Sequence, residues 1–171
     1  MRVVNSHERE LPVSASAVGA LIDTLASERD LLWPKTMWPA MRFDRPLGVG
    51  AMGGHGPIRY VVVEFRHGER VKFRFSAPRG FNGFHWFEVA AKGETAAVLR
   101  HTLEMEAQGP ALLSWPLVFR WLHDACVEDA LSLAQVSLGI EPTVHPWSAW
   151  VRMLRWIFSG GKARSQKMPR Q

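Results

Sequence analysis

The chain has 171 residues, of which 47% are hydrophobic, and this length allows one substantial buried core rather than two. Cys126 is the only cysteine, which excludes an intrachain disulfide and a multi-cysteine zinc site and fits a reducing cytoplasm. The net charge is +5, but residues 142–171 carry six basic and no acidic side chains. Residues 1–141 therefore hold 15 basic against 16 acidic groups. This nearly neutral part of the chain lacks the excess of basic residues expected of a nucleic-acid-binding domain.

The N-terminal region predicts a strand followed by a helix. It contains no apolar signal segment, and no run of 18 apolar residues occurs in the sequence, so we expect a cytoplasmic protein without a membrane span. Val3–Val13 has the pattern of a first strand, and Ser14 or Ser16 is placed to cap a helix that runs to about Ala26. The apolar stripe of this helix consists of Val18, Leu21, Ile22 and Leu25.

The middle of the chain predicts a loop and then a meander of strands. Leu31–Pro39 is rich in Trp and Pro, which indicates a short helical turn and a loop that bring Trp33 and Trp38 to one end of the fold. Glycine and proline turn signals separate the segments that follow. The predicted strands are Met41–Asp44, a glycine-rich segment from Gly48, Ile58–Phe65, Arg70–Ser76, Gly83–Ala91 and Thr95–Ala107.

Residues 48–53 match the G-x-G-x-x-G pattern of dinucleotide-binding proteins, but no helix follows them as that pattern requires. Gly54, Gly56 and Pro57 prevent a helix from starting there. We therefore predict a sharp bend or a flap at the mouth of a cavity. His55 lies at this bend and is a candidate ligand-binding residue.

The strand Ile58–Phe65 has apolar residues on both faces, so its orientation stays open. If the Val and Phe face is inward, Arg59 enters the cavity, where its guanidinium can hold a carboxylate or an enolate. In the alternative, Arg59 pairs with a surface acid such as Glu64 or Glu88. Tyr60 lies on the opposite face, and both residues are candidate ligand contacts.

Two histidines are predicted to face each other in the last hairpin. The alternation places His85 and His101 on the apolar faces of the final two strands. If Ala91 pairs with Thr95, His85 lies directly opposite His101, with Cβ atoms about 5 Å apart. We interpret them as a cavity pair that can share a proton, a water or a ligand. The alternative is two ordinary half-buried histidines bonded to backbone carbonyls or water.

The end of the body predicts a long amphipathic helix. Ser114 is a candidate N-cap with Pro116 in the first turn, and Gly139 and Pro142 end the helix. Its inward stripe consists of Trp115, Val118, Phe119, Leu122, Cys126, Asp129 and Leu133.

Charged residues on this helix have two interpretations. Arg120, Asp124 and Glu128 are spaced four residues apart and share a face, with His123 beside them. In the interpretation that we favour, they form a charge ladder that fixes the helix to the rim of the sheet. In the other, His123 and Asp124 orient a ligand or each other.

The remaining residues that could take part in chemistry are predicted to have structural roles. Asp129 falls on the apolar stripe and, if buried, needs a partner such as Arg100 or Arg59. The seven histidines are scattered over separate elements without a metal-binding spacing, so we expect neither a metal ion nor a cofactor. Cys126 faces the core and is expected to be inert.

Residues 141–171 predict a second amphipathic helix followed by a basic extension. The apolar residues at helical spacing are Trp147, Trp150, Val151, Leu154, Ile157 and Phe158. The helix is far shorter than the roughly 20 residues that cross a bilayer. It either docks on its own domain or on a second subunit, as in a homodimer, which we favour, or it lies on an anionic membrane surface.

The order of elements and several short segments resemble one protein superfamily. The segments are Trp33-Pro34, Trp38-Pro39, residues 53–60 (GGHGPIRY), residues 83–89 (GFHWFEV), Trp115-Pro116-Leu117 and His123-Asp124. Together they resemble the START, pollen-allergen and polyketide-cyclase superfamily (SRPBCC) over residues 1–138. The resemblance implies a helix-grip fold around a hydrophobic cavity, with members that bind lipids, sterols, polyketides or plant hormones. Other members are cyclases, dehydratases or hydroxylase subunits, and no universal catalytic motif carries over.

We therefore predict an α+β helix-grip domain at residues 1–140, in which a curved antiparallel sheet of about six or seven strands wraps around the long helix and leaves a cavity. The leading hypothesis is a carrier or sensor for a hydrophobic small molecule of lipid, polyketide or aromatic type. One alternative is a cyclase- or dehydratase-type enzyme with His85 and His101 as catalytic candidates, and another is a membrane-surface or protein-interaction module. The candidate ligand-binding residues are His55, Arg59, Tyr60, His85, His101, Trp115, Phe119 and His123.

Overall fold

The computed structural model describes residues 1–161 and 165–166, and within them seven antiparallel strands form one curved sheet. The strands are β1 (Arg2–Leu11), β2 (Arg42–Phe43), β3 (Met52–His55), β4 (Ile58–Arg66), β5 (Arg70–Ala77), β6 (Phe81–Ala91) and β7 (Ala97–Ala107). Their order across the sheet is β1-β7-β6-β5-β4-β3-β2, so the first strand pairs with the last and the others follow one another as a meander. The predicted α+β architecture is confirmed.

The helices cover the sheet and its ends. They are α1 (Ala15–Asp23), α2 (Ala111–Ser114), a π-helical turn (Trp115–Phe119), α3 (Arg120–Ser137) and α4 (Ala149–Phe158). Residues 111–137 form one long helix, which ends before Gly139 as predicted. The predicted start was wrong, because Ser114 lies inside the helix and Pro110 is its N-cap.

The π-helical turn follows from Pro116. Proline has no N–H group to donate to the carbonyl four residues earlier, and its ring clashes with that carbonyl in a regular α-helix. The helix therefore widens, and the N–H of Arg120 donates to the carbonyl of Trp115. This widened turn carries Trp115 and Phe119 toward the sheet.

Helix α1 packs tightly against the turn between β4 and β5. Ser14 is its N-cap, as predicted, and the Ser14 hydroxyl accepts a hydrogen bond from the N–H of Ala17 at 3.4 Å. A Cβ atom on Gly19 would come within 1.8 Å of the carbonyl oxygen of Gly68, so only glycine permits this approach. The helix ends at Asp23, three residues earlier than predicted, and Ala26 already has a positive φ of 61°.

The tryptophan-rich segment forms a turn whose tryptophans belong to the core. The N–H groups of Met37 and Trp38 both donate to the carbonyl of Pro34 at 2.9 Å, which makes a single turn without a helix. Trp33 and Trp38 are 5% and 6% exposed and lie at the same end of the fold.

The register of the last hairpin differs from the prediction by two residues. Ala91 pairs with Ala97, and not with Thr95, so the connecting loop has five residues. His85 consequently lies opposite Leu103, and His101 lies opposite Phe87. Because a strand alternates with a period of two, this shift leaves both histidines on the inner face.

Helix α4 packs on the domain through one face only. Trp147, Val151 and Leu154 are buried, and the helix contacts α3. The other side of the helix leaves Trp150, Met153, Trp156 and Ile157 exposed, and Phe158, at the end of the packed face, is also partly open to solvent. None of the helices in the described residues combines the length and apolar character needed to cross a membrane.

Candidate ligand-binding cavity

A cavity of about 280 Å³ lies between the inner face of the sheet and the long helix. Its walls are mostly aromatic and aliphatic, and several elements contribute to them. The sheet supplies His55, Ile58, Phe75, Phe81, His85, His101 and Leu103. The long helix supplies Trp115, Phe119, Leu122, His123, Cys126 and Val127, and the loops and the α4 region supply Trp33, Met37, Trp38, Pro39, Gly56, Pro57, Arg155, Phe158 and Ser159. An apolar wall with few polar atoms is typical of small-molecule sites.

His85 and His101 form the most polar part of the sheet wall. They are 6% and 3% exposed, and His85 Nδ1 lies 3.3 Å from His101 Nε2, so one ring donates a hydrogen bond to the other. The rings of Phe73 and Phe75 stack on His85, each with its centroid 4.8 Å away. Burial lowers the pKa of both histidines well below the usual value, and nearby histidines lower it further. Both rings are therefore neutral at pH 7.

Each histidine of this pair keeps one buried nitrogen without a protein partner. Within the described residues, His85 Nε2, His101 Nδ1 and the hydroxyl of Tyr60 make no hydrogen bond. The ring of Tyr60 lies against His85, with centroids 4.8 Å apart. Burial raises the pKa of Tyr60 well above its usual value, which keeps the phenol protonated. A buried polar atom without a partner is costly, so a ligand that supplies one gains binding energy.

Two further histidines line the cavity. The ring of His123 lies 5.1 Å from that of His101, and its Nε2 atom is also buried without a partner among the described residues. The ring of His55 packs on Trp33 at 4.5 Å, and burial lowers its pKa to about 3. All four cavity histidines are therefore uncharged near neutrality.

Arg59 is not part of this cavity, which corrects one of the predicted orientations. Tyr60 is buried and Arg59 is exposed, so the face with the valines at 61 and 63 is not the inward one. The Arg59 guanidinium donates to the carbonyls of Gly56 and Ile58 at 2.6 and 2.8 Å. It therefore supports the turn between β3 and β4. The predicted acidic partners were also wrong, since Glu64 pairs with arginines of β4 and β5 and Glu88 with arginines of β5 and β7.

Asp129 is buried as predicted, but its partners are not arginines 59 or 100. The Asp129 carboxylate accepts hydrogen bonds from the indole N–H groups of Trp38 and Trp147 at 2.7 and 2.8 Å and from the amide of Gln166 at 2.7 Å. The Arg155 guanidinium lies 4.0 and 4.1 Å from the two indole rings. Burial raises the pKa of Asp129, and these hydrogen bonds oppose the rise. This cluster joins the segment around α4 to the wall of the cavity.

A polar cluster at the junction of β1 and α3 contains a histidine that sequence reasoning missed. His7 Nδ1 lies 2.7 Å from a Glu128 oxygen, and His7 Nε2 lies 3.2 Å from Asp124 Oδ1. Burial lowers the pKa of His7, but the hydrogen bonds with the two carboxylates outweigh it and raise the pKa to about 9. Arg9 donates to Glu128 at 2.7 Å, and Asn5 donates to Asp124 at 2.8 Å. The charge ladder of the helix therefore fixes α3 to β1, the interpretation that we favoured.

Comparison with solved structures identifies the fold. Norcoclaurine synthase from Thalictrum flavum, as a point mutant in complex with a transition-state analogue, has a TM-score of 0.61 at 17% identity, over 81% of this chain and 96% of that one. A Thermobifida fusca protein has a TM-score of 0.59 at 18% identity, over 83% of this chain and 97% of that one. CalU16 from Micromonospora echinospora has a TM-score of 0.57 at 9% identity, over 94% of this chain and 96% of that one. The chain therefore has the helix-grip fold of these proteins. No protein-family model and no curated protein sequence matches it.

In this helix-grip fold, the predicted residues divide into three groups. His55, His85, His101, Trp115, Phe119 and His123 line the cavity. Tyr60 lies behind the wall in contact with His85, and Arg59 lies outside. Sequence reasoning did not predict the contributions of Arg155 and Phe158, because nothing in the local pattern indicates that α4 returns to the cavity.

Proposed function

We propose that the protein binds a hydrophobic small molecule in this cavity, as a carrier or a sensor. The observation that carries the proposal is a pair of polar atoms in an otherwise apolar wall: His85 Nε2 and His101 Nδ1 are buried and without hydrogen-bond partners among the described residues. Because one ring donates to the other, one of these nitrogens is a donor and the other an acceptor, and a ligand with an apolar body and one hydroxyl group can satisfy both.

The size and charge of the cavity narrow the ligand class. A volume of about 280 Å³ is just below the range of roughly 300 to 1,000 Å³ found for drug-sized ligands. It favours a compact aromatic or alicyclic molecule over a long lipid chain. Neutral imidazoles donate and accept hydrogen bonds but supply no charge, so an uncharged phenol or ketone fits better than an anion.

A paired-ligand measurement tests this proposal. Equilibrium dialysis of 2-naphthol and naphthalene against the full chain compares two molecules that differ by one hydroxyl group. We expect both to bind and 2-naphthol to bind about tenfold more tightly, the value of one or two buried hydrogen bonds. In His85→Leu and His101→Leu this preference falls toward equality while naphthalene binding is retained.

The matched control is His67→Leu, since the His67 side chain is 82% exposed and lies outside the cavity. It leaves both affinities unchanged. Saturable binding of neither compound, or a hydroxyl preference that survives both cavity substitutions, contradicts the proposal.

A cyclase- or dehydratase-type enzyme is the second candidate, and the His85–His101 contact supports it. A distance of 3.3 Å between two neutral imidazoles allows one ring to take a proton from a bound ligand while the other stabilises the charge. The effect of His85→Gln distinguishes the enzyme from the carrier. An enzyme with His85→Gln keeps ligand affinity and loses turnover, whereas a carrier has no turnover to lose. Membrane contact through the exposed face of α4, a homodimer and a cytoplasmic location stay predictions.

A further inference from the structure

The polar cluster between β1 and α3 brings together the donor atoms of a metal site. Alternate residues of β1 place the side chains of Asn5 and His7 in the cluster, and α3 supplies His123 and Asp124 from consecutive positions. His7 and His123 are separated by more than one hundred residues in the chain. No sequence spacing marks this group, and the fold alone assembles it.

The separations between these donor atoms match those around a bound ion. Asp124 Oδ1 lies 3.2 Å from His7 Nε2 and 3.3 Å from His123 Nδ1. One donor atom from each of the three residues lies within 4.8 Å of the others. Zinc binds imidazole nitrogen and carboxylate oxygen at about 2.0 to 2.2 Å, so tetrahedral ligand atoms are about 3.3 Å apart. The two separations from Asp124 match this value, and the third ligand atom is close enough to share the ion.

Neighbouring groups orient the ligand atoms. The hydrogen bond between His7 Nδ1 and Glu128, at 2.7 Å, holds the Nδ1 proton and directs Nε2 toward Asp124, so an ion bound at Nε2 displaces the Nε2 proton only. A carboxylate behind a metal-binding histidine is the usual second contact in zinc sites, and here Arg9 fixes that carboxylate in turn.

A further unpartnered atom borders the cluster. Asn5, a half-buried residue, donates its amide N–H to Asp124 at 2.8 Å, while its Oδ1 atom is buried and has no hydrogen-bond partner among the described residues. An amide oxygen accepts hydrogen bonds or binds a cation, so a water held by the ion would satisfy it.

We propose that His7, His123 and Asp124 bind one divalent transition-metal ion of the zinc class at the junction of β1 and α3, with Glu128 as a positioning residue. Two imidazoles and one carboxylate favour zinc over magnesium or calcium, which prefer oxygen ligands. The ion replaces the proton on His7 Nε2 as the positive charge beside Asp124. Because His123 also lines the cavity, the ion fixes one side chain of the ligand site.

Metal titration of tag-free full-length protein, first stripped with a chelator, tests this site. We expect one Zn²⁺ per chain by isothermal titration calorimetry and a visible Co²⁺ spectrum of a low-coordinate site with nitrogen ligands. Asp124→Asn and His7→Gln weaken Zn²⁺ binding at least 100-fold. Glu128→Gln weakens it 10- to 100-fold, the usual effect of losing a positioning carboxylate.

Two controls keep the proposal falsifiable. His67→Gln changes an exposed histidine outside the cluster and binds Zn²⁺ like the wild type. The Co²⁺ spectrum and a zinc-dependent rise in the thermal midpoint are read on the wild type itself, so they hold even where a variant folds poorly. Absence of stoichiometric binding, or equal affinity in His7→Gln, shows that the cluster is an ion pair only. Loss of binding in His101→Leu but not in His7→Gln places the ion in the cavity and also overturns the proposal.

Discussion

His7 and His101 are paired neighbours on adjacent strands, yet their surroundings give them opposite chemistry. The pKa of His7 is raised to about 9, because its bonds to two carboxylates outweigh the effect of burial. The pKa of His101 is lowered well below the usual value by burial among rings such as Phe87, whose centroid lies 4.6 Å away. The difference arises from the covering helix: α3 presents Asp124 and Glu128 over β1 and apolar side chains over the middle of the sheet. The element that covers a sheet therefore decides what the same residue type does on it.

The largest expected effect comes from placing the same charge in both regions. His85→Lys puts an ammonium group among aromatic rings without a carboxylate partner, and we expect it to cost at least about 3 kcal/mol of unfolding free energy or to prevent folding. His7→Lys keeps a positive charge between Asp124 and Glu128, and we expect a loss of about 1 kcal/mol or less. Urea denaturation at pH 7 with a chelator present measures both. Equal losses at the two positions remove the distinction between the regions.

The second prediction concerns the pH dependence of stability in metal-free protein. A raised pKa in the folded state means that His7 stabilises the fold fully below the unfolded value of about 6.5, and that this contribution is lost as the pH rises to about 9. The lowered pKa of His85 has the opposite sign, because the unfolded chain binds the proton more tightly. His85 therefore does not change the free energy of unfolding above about pH 7. Below about pH 6.5, this free energy falls as the pH drops, by at most about 1.4 kcal/mol per pH unit.

Difference curves isolate these two contributions. Unfolding free energies of His7→Gln and His85→Gln, each subtracted from the wild type across pH 5 to 10, are expected to slope in opposite directions. Ring resonances of His7 and His85 followed by NMR give the pKa values directly. Two histidines that both titrate near 6.5 contradict the assignment of charged and neutral regions.

The histidine pair shows how much of this site the sequence could predict. Alternation placed His85 and His101 on one face, and the misjudged register did not change that face because the shift was an even number of residues. The same rule could not orient Arg59 and Tyr60, since both faces of β4 are apolar and only the packing of the strand decides between them. His7 gave no signal, because its partners are more than one hundred residues away and meet it only in the folded chain.

The smallest expected effect compares one polar group in each region. Tyr60→Phe removes a buried hydroxyl that has no partner among the described residues, so unfolding free energy is expected to stay unchanged or to rise by up to about 1 kcal/mol. Asn5→Ala removes a donor to Asp124 and is expected to cost about 1 kcal/mol. Urea denaturation of both variants measures the difference.

Tyr60→Phe also connects stability with binding. Because Tyr60 lies behind the cavity wall, the variant is expected to keep both its stability and its preference for 2-naphthol over naphthalene. A variant that is as destabilised as Asn5→Ala shows instead that the hydroxyl is hydrogen-bonded in the free protein. In that case water already satisfies the inner end of the cavity, and a ligand gains only the difference between its own hydrogen bonds and those of the water that it displaces.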